Sequence, residues 1–399
     1  MFRPGPIRAP MLAVIAAVSA CGCQGPRATR ERPVDALVAA LHDAGLEHEH
    51  PFELDEARAA LVRRTIGTFG TPEERLTRVI ASLNGDTGQG FVYQRNTTRT
   101  AQQTFDSRSG DCMTYAALAV AMSRSLGVPT YFVYVKDLPV YYDDGEWLFS
   151  ATHMAIGLGS GPHSLVIDFT GNGNGLSSSV YQRVDDATAA ALFFNNRAAE
   201  RLVAGDVRGA ETLLRRVIDF APDVRESWAN LGAVLNRQGR YHDTLVLTRQ
   251  SLAKFPDYQP LWSNAVRAAR AGGDEALAHL LETRAAEIAE GDPWFHFVRG
   301  VNAFQAGDFA RAIASLERAA SGMDDGSLVR AWLVRAYVVG GQPDRGLELY
   351  AKLRREFPGD RNLDALARDV PILAGAEPVD APKTAEADHR FMKKLRKKR

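Results

Sequence analysis

The sequence predicts two folds in one chain: an α+β domain built around a single long helix, followed by an all-α solenoid of helix pairs. Two observations predict this. The stretch Ser107-Arg-Ser-Gly-Asp-Cys112 through Leu126-Gly-Val-Pro129 reads as a turn, a helix and a stop, and runs rich in β-branched and aromatic residues follow it. Further on, glycine recurs at 205, 239, 273, 307 and 341, always 34 residues apart. The 399 residues are 45% apolar, enough for two or more cores. With 48 basic and 48 acidic residues, a nucleic-acid role has no electrostatic support.

From the start of the chain, Arg3 and Arg8 precede the apolar run Met11 to Ala20. Residues 1–20 read as a signal peptide, too short to span a membrane. The segment Val18-Ser-Ala-Cys21 resembles a bacterial lipobox, which implies cleavage before Cys21 and lipidation of that cysteine. The alternative is an ordinary secretory signal with a chance cysteine. Gly22 follows rather than Asp, and by the same resemblance this points to an outer-membrane lipoprotein facing the periplasm of a Gram-negative cell. Residues 21–33 are a polar tether.

From Pro33 the pattern is helical. Val34, Leu37, Val38 and Leu41 share one face. Helices are also expected from Phe52 to Val62 and from Thr71 to Leu83, the second opened by a Thr71-Pro72-Glu-Glu74 cap. His48-Glu-His50 sits in a loop without further spaced ligands, so no metal and no cofactor is expected.

Asp111 suits the cap of the central helix, and Gly127 and Pro129 suit its end. Cys112 lies in the first turn, where the helix dipole favours a thiolate. The alternative is a small buried Cys that only packs. Three Cys are present, and Cys112 is the only one in the folded body, so no disulfide framework is expected. Strand-like runs cover Thr130–Lys136, Trp147–Leu158 and Ser164–Thr170, separated by Asp143-Asp-Gly145 and Gly159-Ser-Gly-Pro162. If the last two pair, His153 and Asp168 come side by side, and the Cys112 helix packed on them completes a Cys–His–Asp line. The thiolate attacks, the imidazole carries the proton, and the carboxylate fixes the tautomer. Should His153 point to the far face of the sheet, the triad assignment fails and His163 is the next candidate.

Gly110-Asp-Cys112, the apolar helix ending Leu126-Gly-Val-Pro129, a strand His and an Asp-x-Thr together resemble the transglutaminase-like cysteine superfamily, as does the lead-in Phe91-Val-Tyr93, Thr100-Ala101 and Phe105. The resemblance covers about Val34 to Asp186, within a domain set at 34–188. It implies a papain/transglutaminase-like fold, with Cys112 as nucleophile, His153 as base and Asp168 as orienting acid. Many members carry an aromatic residue soon after the His, and here Met154-Ala follows. The superfamily holds transglutaminases, peptidases and amidases, so it names a chemistry and leaves the substrate open.

The 34-residue step is the period of the tetratricopeptide helix–turn–helix. Ala210, Thr244, Ala278, Ala312 and Gly346 sit five after each glycine, and Pro222, Pro256 and Pro358 seventeen after theirs. Trp228, Trp262 and Leu231-Gly232 also fit the family pattern. Five repeats are expected over 191–360, with a capping helix and a basic, disordered tail over 361–399. That resemblance places Asn195, Asn236, Arg237, Arg267, Arg270, Gln305 and Arg335 on the concave side, a surface suited to an extended or acidic protein partner. A solvated helix face is the alternative. The expected function is thiol acyl transfer by a periplasm-facing lipoprotein, as peptidase, amidase or crosslinker. The alternatives are an inactive scaffold and an assembly factor that recruits through its repeats.

Overall fold

The computed structural model describes residues 14–18, 34–84, 90–94, 96–143, 148–160, 164–168, 181–323, 327–358 and 360–375. Cys21 with the tether, the Asp144-Gly145 turn, His163, Thr170 and the tail from residue 376 lie outside them. The chain forms two compact units, Met1–Trp294 and Phe295–Arg399.

The first unit opens with helices α1 (Val34–Asp43), α2 (Glu56–Ile66) and α3 (Pro72–Asn84). Their starts follow local chemistry. Asp55 accepts from the Arg58 N–H at 2.8 Å. Thr71 and Glu74 make a reciprocal capping box, at 3.2 and 3.0 Å, around the Pro72 that begins α3. A parallel pair of two-residue strands follows, β2 (Val92–Tyr93) with β3 (Ser109–Gly110), and α4 (Ala101–Ser107) lies between them in the chain.

Helix α5 (Cys112–Ser125) is the axis of this unit, buried at every position from Met113 to Ser123. It ends as the sequence predicts. Gly127 takes φ 71°, and the N–H groups of Gly127 and Val128 return to Arg124 O at 2.9 Å and Ser123 O at 3.0 Å, a Schellman closure.

The main sheet holds β1 (Val14–Val18), β4 (Tyr131–Asp143), β5 (Leu148–Leu158), β6 (Ser164–Asp168) and β7 (Tyr181–Val184). Its order is β1-β6-β5-β4-β7, and every pairing is antiparallel. Within the apolar run read as a leader, Val14–Val18 forms the edge strand on β6. The sheet is apolar on both sides. Phe132, Met154, Ile156, Leu158 and Ile167 join α5 in the main core, while Val133, Val135, Ala155 and Val166 form a second cluster with Tyr131 and Tyr181.

Three helix pairs complete the unit: α6 (Asp186–Val203) with α7 (Val207–Phe220), α8 (Arg225–Arg237) with α9 (Tyr241–Leu252), and α10 (Gln259–Ala271) with α11 (Glu275–Glu290). Gly205, Gly239 and Gly273 turn each pair at φ 88°, 72° and 85°. Nothing lies within 4 Å of a Cβ built there, so the left-handed backbone and not lack of space requires glycine. The equally spaced Trp228 and Trp262 do the same work 34 residues apart. Each indole N–H donates to the carbonyl of the proline six residues earlier, Pro222 at 3.0 Å and Pro256 at 2.8 Å.

The first helix of each pair, α6, α8 and α10, packs on the sheet, against β5 in all three cases. The Tyr134 hydroxyl donates to Glu226 Oε1 at 2.8 Å, and the Arg225 guanidinium lies 4.5 Å over the Tyr258 ring. Arg124 of α5 grips Asp186 with both terminal nitrogens, at 2.6 and 2.8 Å. The boundary between the units, at Trp294 and Phe295, falls within the expected repeat region.

The second unit holds α12 (Pro293–Gln305) from Phe295 on, α13 (Phe309–Gly322), α14 (Ser327–Val339), α15 (Pro343–Glu356) and α16 (Arg361–Asp369), closed by a 3-10 turn over Pro371–Gly375. Gly307 and Gly341 repeat the left-handed turn at φ 80° and 82°. Leu363, Leu366, Val370 and Leu373 cover the end of the stack, packing on Ala331, Val334, Tyr350 and Leu353.

Glu226 is buried between Tyr134 and Arg225. Glu226→Ala strands a buried phenol and a guanidinium and should cost about 3–5 kcal/mol. Tyr134→Phe should cost only about 1 kcal/mol. Urea unfolding of the full chain measures both, and equal losses would refute a buried charged anchor at Glu226.

Candidate active site

The site is built at the head of α5. Gly110 has φ 156°, and a Cβ there would come within 2.3 Å of Thr114 Cγ2, so only glycine allows the approach. Asp111 caps the helix, its Oδ1 accepting from the Thr114 N–H at 2.8 Å. Its Oδ2 accepts from the Thr98 hydroxyl at 2.7 Å, and its N–H donates to Thr97 O at 3.3 Å. The Thr97–Thr98 loop thereby holds the turn from the other side, and the Thr114 hydroxyl reaches Thr97 O at 3.1 Å. Cys112 is half-buried at the first position of the helix and belongs to no disulfide among the described residues.

His153 on β5 and Asp168 at the end of β6 come together as the strand pairing predicts. The imidazole Nε2–H donates to Asp168 Oδ1 at 2.9 Å, with His153 3% and Asp168 4% exposed. His153 also hydrogen-bonds the Cys112 side chain. Burial by itself would pull the His153 pKa down. The Asp168 carboxylate, and after it the Cys112 sulfur, outweigh that and push it up to about 10.

By register, His153 lies opposite Val135, which lies opposite Tyr181. Residues opposite each other share a face, so the register sets His153 on the Val135 and Tyr181 side, the face away from α5, although its side chain bonds that of Cys112 at the head of α5. The β4–β5 pairing breaks between Val135 and Val140, beside His153, and breaks of this kind bend a strand and re-aim its side chains. Tyr181 packs with Val133, Val135, Ala155 and Val166. Burial, with the Asp168 charge added to it, raises the phenol well above its ordinary range. Nothing in the sequence singles out Tyr181, which joins Asp168 only through the sheet.

The residues of the expected partner groove fare differently from one another. Asn195 is buried and accepts from Asn230 Nδ2 at 3.0 Å; Asn236 is buried and donates to Asn264 O at 3.0 Å. Both bind helix to helix inside the first unit. Arg267 is half-buried and Arg237 exposed there, and Arg270 pairs with Glu282 at 2.9 Å. In the second unit, Gln305 is exposed, while Arg335 pairs with Asp369 at 2.5 Å and lies 5.3 Å over the Trp332 ring. The His48-Glu-His50 trio is structural in its contacts. His48 stacks edge-on to His42, Glu49 accepts from the Thr100 hydroxyl at 2.6 Å, and His50 Nδ1 accepts from the Phe52 N–H at 3.2 Å. Among the described residues no three His, Cys, Asp or Glu side chains cluster as metal ligands.

Residues 59–148 match the family model of the transglutaminase-like superfamily, and residues 303–369 match a tetratricopeptide repeat model. The chain carries a transglutaminase-like domain fused to tetratricopeptide repeats. The first match includes Cys112 and ends before His153 and Asp168. Similar solved structures include the tetratricopeptide protein TTC0263 of Thermus thermophilus, at 21% identity, covering 46% of this chain and all of that one, with TM-score 0.26. MamA matches at 14% identity over 48% of this chain and 98% of its own, with TM-score 0.24. YrrB, described as a tetratricopeptide protein with an unusual peptide-binding site, matches at 14% over 45% and 92%, also with TM-score 0.24. No curated protein matches the chain. Among the described residues no helix is long and apolar enough to cross a membrane.

The raised His153 pKa makes stability depend on pH with a definite sign. The native imidazole holds its proton to about pH 10, against 6.5 for an ordinary one. Its stabilisation is complete below about pH 6.5 and is lost as pH rises through about 10. The urea midpoint of the native chain should therefore fall more steeply between pH 6.5 and 10 than that of His153→Gln. Parallel curves would show that no such proton is held.

Proposed function

We propose that this chain is a thiol acyl-transfer enzyme of the peptidase, amidase or transglutaminase kind, with Cys112 as nucleophile, His153 as proton carrier and Asp168 as the group that orients the imidazole. One observation carries the reading. His153 is hydrogen-bonded at once to Asp168 and to the cysteine that begins α5.

The reacting pair is a Cys112 thiolate and a His153 imidazolium. The sulfur adds to an amide carbonyl, and the positive end of α5 favours the oxyanion that develops. The carbon–nitrogen bond breaks as His153 gives its proton to the leaving amine, which leaves a thioester on Cys112. Water or a second amine then loses a proton to His153 and attacks the thioester. The thiolate departs and the ion pair is restored. Water completes a hydrolysis, and an amine completes an exchange. Asp168 stays ionised throughout and holds the ring in place.

The lipobox-like Val18-Ser-Ala-Cys21 supports an envelope location, with Cys21 lipidated and the body facing the periplasm of a Gram-negative cell. Cleavage before Cys21 would also remove β1 and leave β6, the strand of Asp168, as a sheet edge. Tetratricopeptide repeats are protein- and peptide-binding modules. In the second unit, exposed Gln305 and half-buried Arg335 are the proposed contacts for such a partner.

Two measurements test this reading. At about pH 6 an ordinary thiol is almost wholly protonated, yet Cys112 should react readily with iodoacetamide, read by mass spectrometry of its peptide. His153→Ala should slow this reaction at least tenfold, and Asp168→Asn less so, because it disturbs only the ring's charge and orientation. Labelling that waits for denaturant would make Cys112 a packing residue and the domain a scaffold. Mass spectrometry of the mature amino terminus should find a diacylglyceryl-modified Cys21, and a soluble product cleaved elsewhere would remove the anchor.

A further inference from the structure

Arg108 is held in a strained backbone beside the nucleophile. It closes α4 in the left-handed conformation, φ 50°, its N–H on Thr104 O at 2.8 Å. Glycine takes that position freely, whereas a Cβ crowds the following carbonyl oxygen. Asn96, φ 53°, is the other non-glycine residue with positive φ among those described, and it lies just before the Thr97–Thr98 loop that grips Asp111. Backbone strain thus flanks the Cys112 turn on both sides.

The Arg108 side chain is half-buried over the Phe105 ring, 5.2 Å from its centre. Its Nη1 is shielded from solvent and makes no hydrogen bond. Burial lowers its pKa, and no carboxylate acts to raise it. Other arginines of this unit have acceptors or acids. Arg99 donates to Ser109 O and Oγ, Arg58 pairs with Asp55 and Asp106, and Arg197 and Arg201 share Glu47. A half-desolvated guanidinium without an acid is costly, and a bound anion would offset that cost.

Position and chemistry narrow the anion. Arg108 is four residues from Cys112, a span of at most about 14 Å. An extended peptide advances about 3.4 Å per residue, so its second to fourth residue from the attacked carbonyl falls within this reach. The β2 strand beside Arg108 presents Val92 at 58% and Tyr93 at 41% exposure, an apolar bed for an aliphatic stem. One planar cation matches one carboxylate, whereas a phosphate dianion would call for more charge. We propose that Arg108 binds a carboxylate of the acyl substrate two to four residues from the bond that Cys112 attacks. The proposal rests on Cys112 being the nucleophile.

The test uses the full chain and bromoacetyl tetrapeptide amides carrying Glu or Gln at the second, third or fourth position. A further set has a free terminal carboxylate in place of the acidic side chain. The rate of alkylation at Cys112 is read by mass spectrometry. At one spacing the Glu peptide should react about five- to tenfold faster than its Gln partner. The free-carboxylate set tells whether a side chain or a chain end is recognised. In Arg108→Gln that ratio should fall to about one, and Arg108→Lys should keep part of it. Taking the ratio within each variant cancels changes in the thiol itself, and thermal melts check folding. In the native chain the ratio should also shrink as salt rises, which needs no variant. Equal rates at every spacing, or a preference that survives in folded Arg108→Gln, would overturn the assignment. A Cys112 that takes neither iodoacetamide nor any peptide would instead reject the nucleophile, and this proposal with it.

Discussion

Asp111 is the residue on which the most depends. One carboxylate oxygen satisfies the free N–H of Thr114 at the head of α5, and the other receives the Thr98 hydroxyl. Thr98 in turn donates its N–H to Glu200 of α6 at 2.5 Å, and its carbonyl accepts from Arg197 at 3.2 Å. Arg197 and Arg201 close the chain on Glu47, buried in the loop after α1. Burial raises the Glu200 carboxyl, while its bonds to Thr98 act the other way. A single cap therefore ties the cysteine-bearing helix to the first helix of the solenoid. Low dielectric around such a network strengthens each bond and penalises any that is missing.

The second constraint is that the β4–β5 pair has an apolar side on each face. One face lies on α5 and the inner helices, and the other closes on Tyr131 and Tyr181. Burying each large aliphatic or aromatic side chain contributes roughly 1.5–3 kcal/mol. Helices α6, α8 and α10 supply part of the cover, so in the first unit they belong to the domain that carries the thiol. These three helices pack on the molecule's own strand β5. Asn195 and Asn236, expected on the inner surface, bond to neighbouring helices.

What was legible depended on whether the physics was local. The central helix could be read from its ends, because Asp111 is an N-cap and Gly127 a left-handed C′ residue, each defined by a few neighbouring atoms. The solenoid turns could be read from five glycines, since a positive φ penalises any side chain wherever it occurs. His153 and Asp168 were legible at one remove, as residues on two runs that would pair through a short connection. Tyr181 was not, because its place depends on β7 joining β4 after a long excursion. Nor was the Tyr134–Glu226 bond, which spans 92 residues and belongs to no motif.

The sequence by itself determined the central helix with its cap and stop and the glycine turns of the helix pairs, and it offered Cys112, His153 and Asp168 as candidates. Capping, left-handed turns and apolar periodicity act within a few residues, so the order of letters is enough to specify them. Only the tertiary structure decided which faces of the repeats remain open and which cations have partners. Arg108 and Arg124 look alike in the chain. One lies over a phenylalanine with a nitrogen unbonded, and the other is clamped by Asp186, 62 residues away. Burial and charge pairing are properties of what surrounds a group in space, and space is filled by segments far apart in the chain.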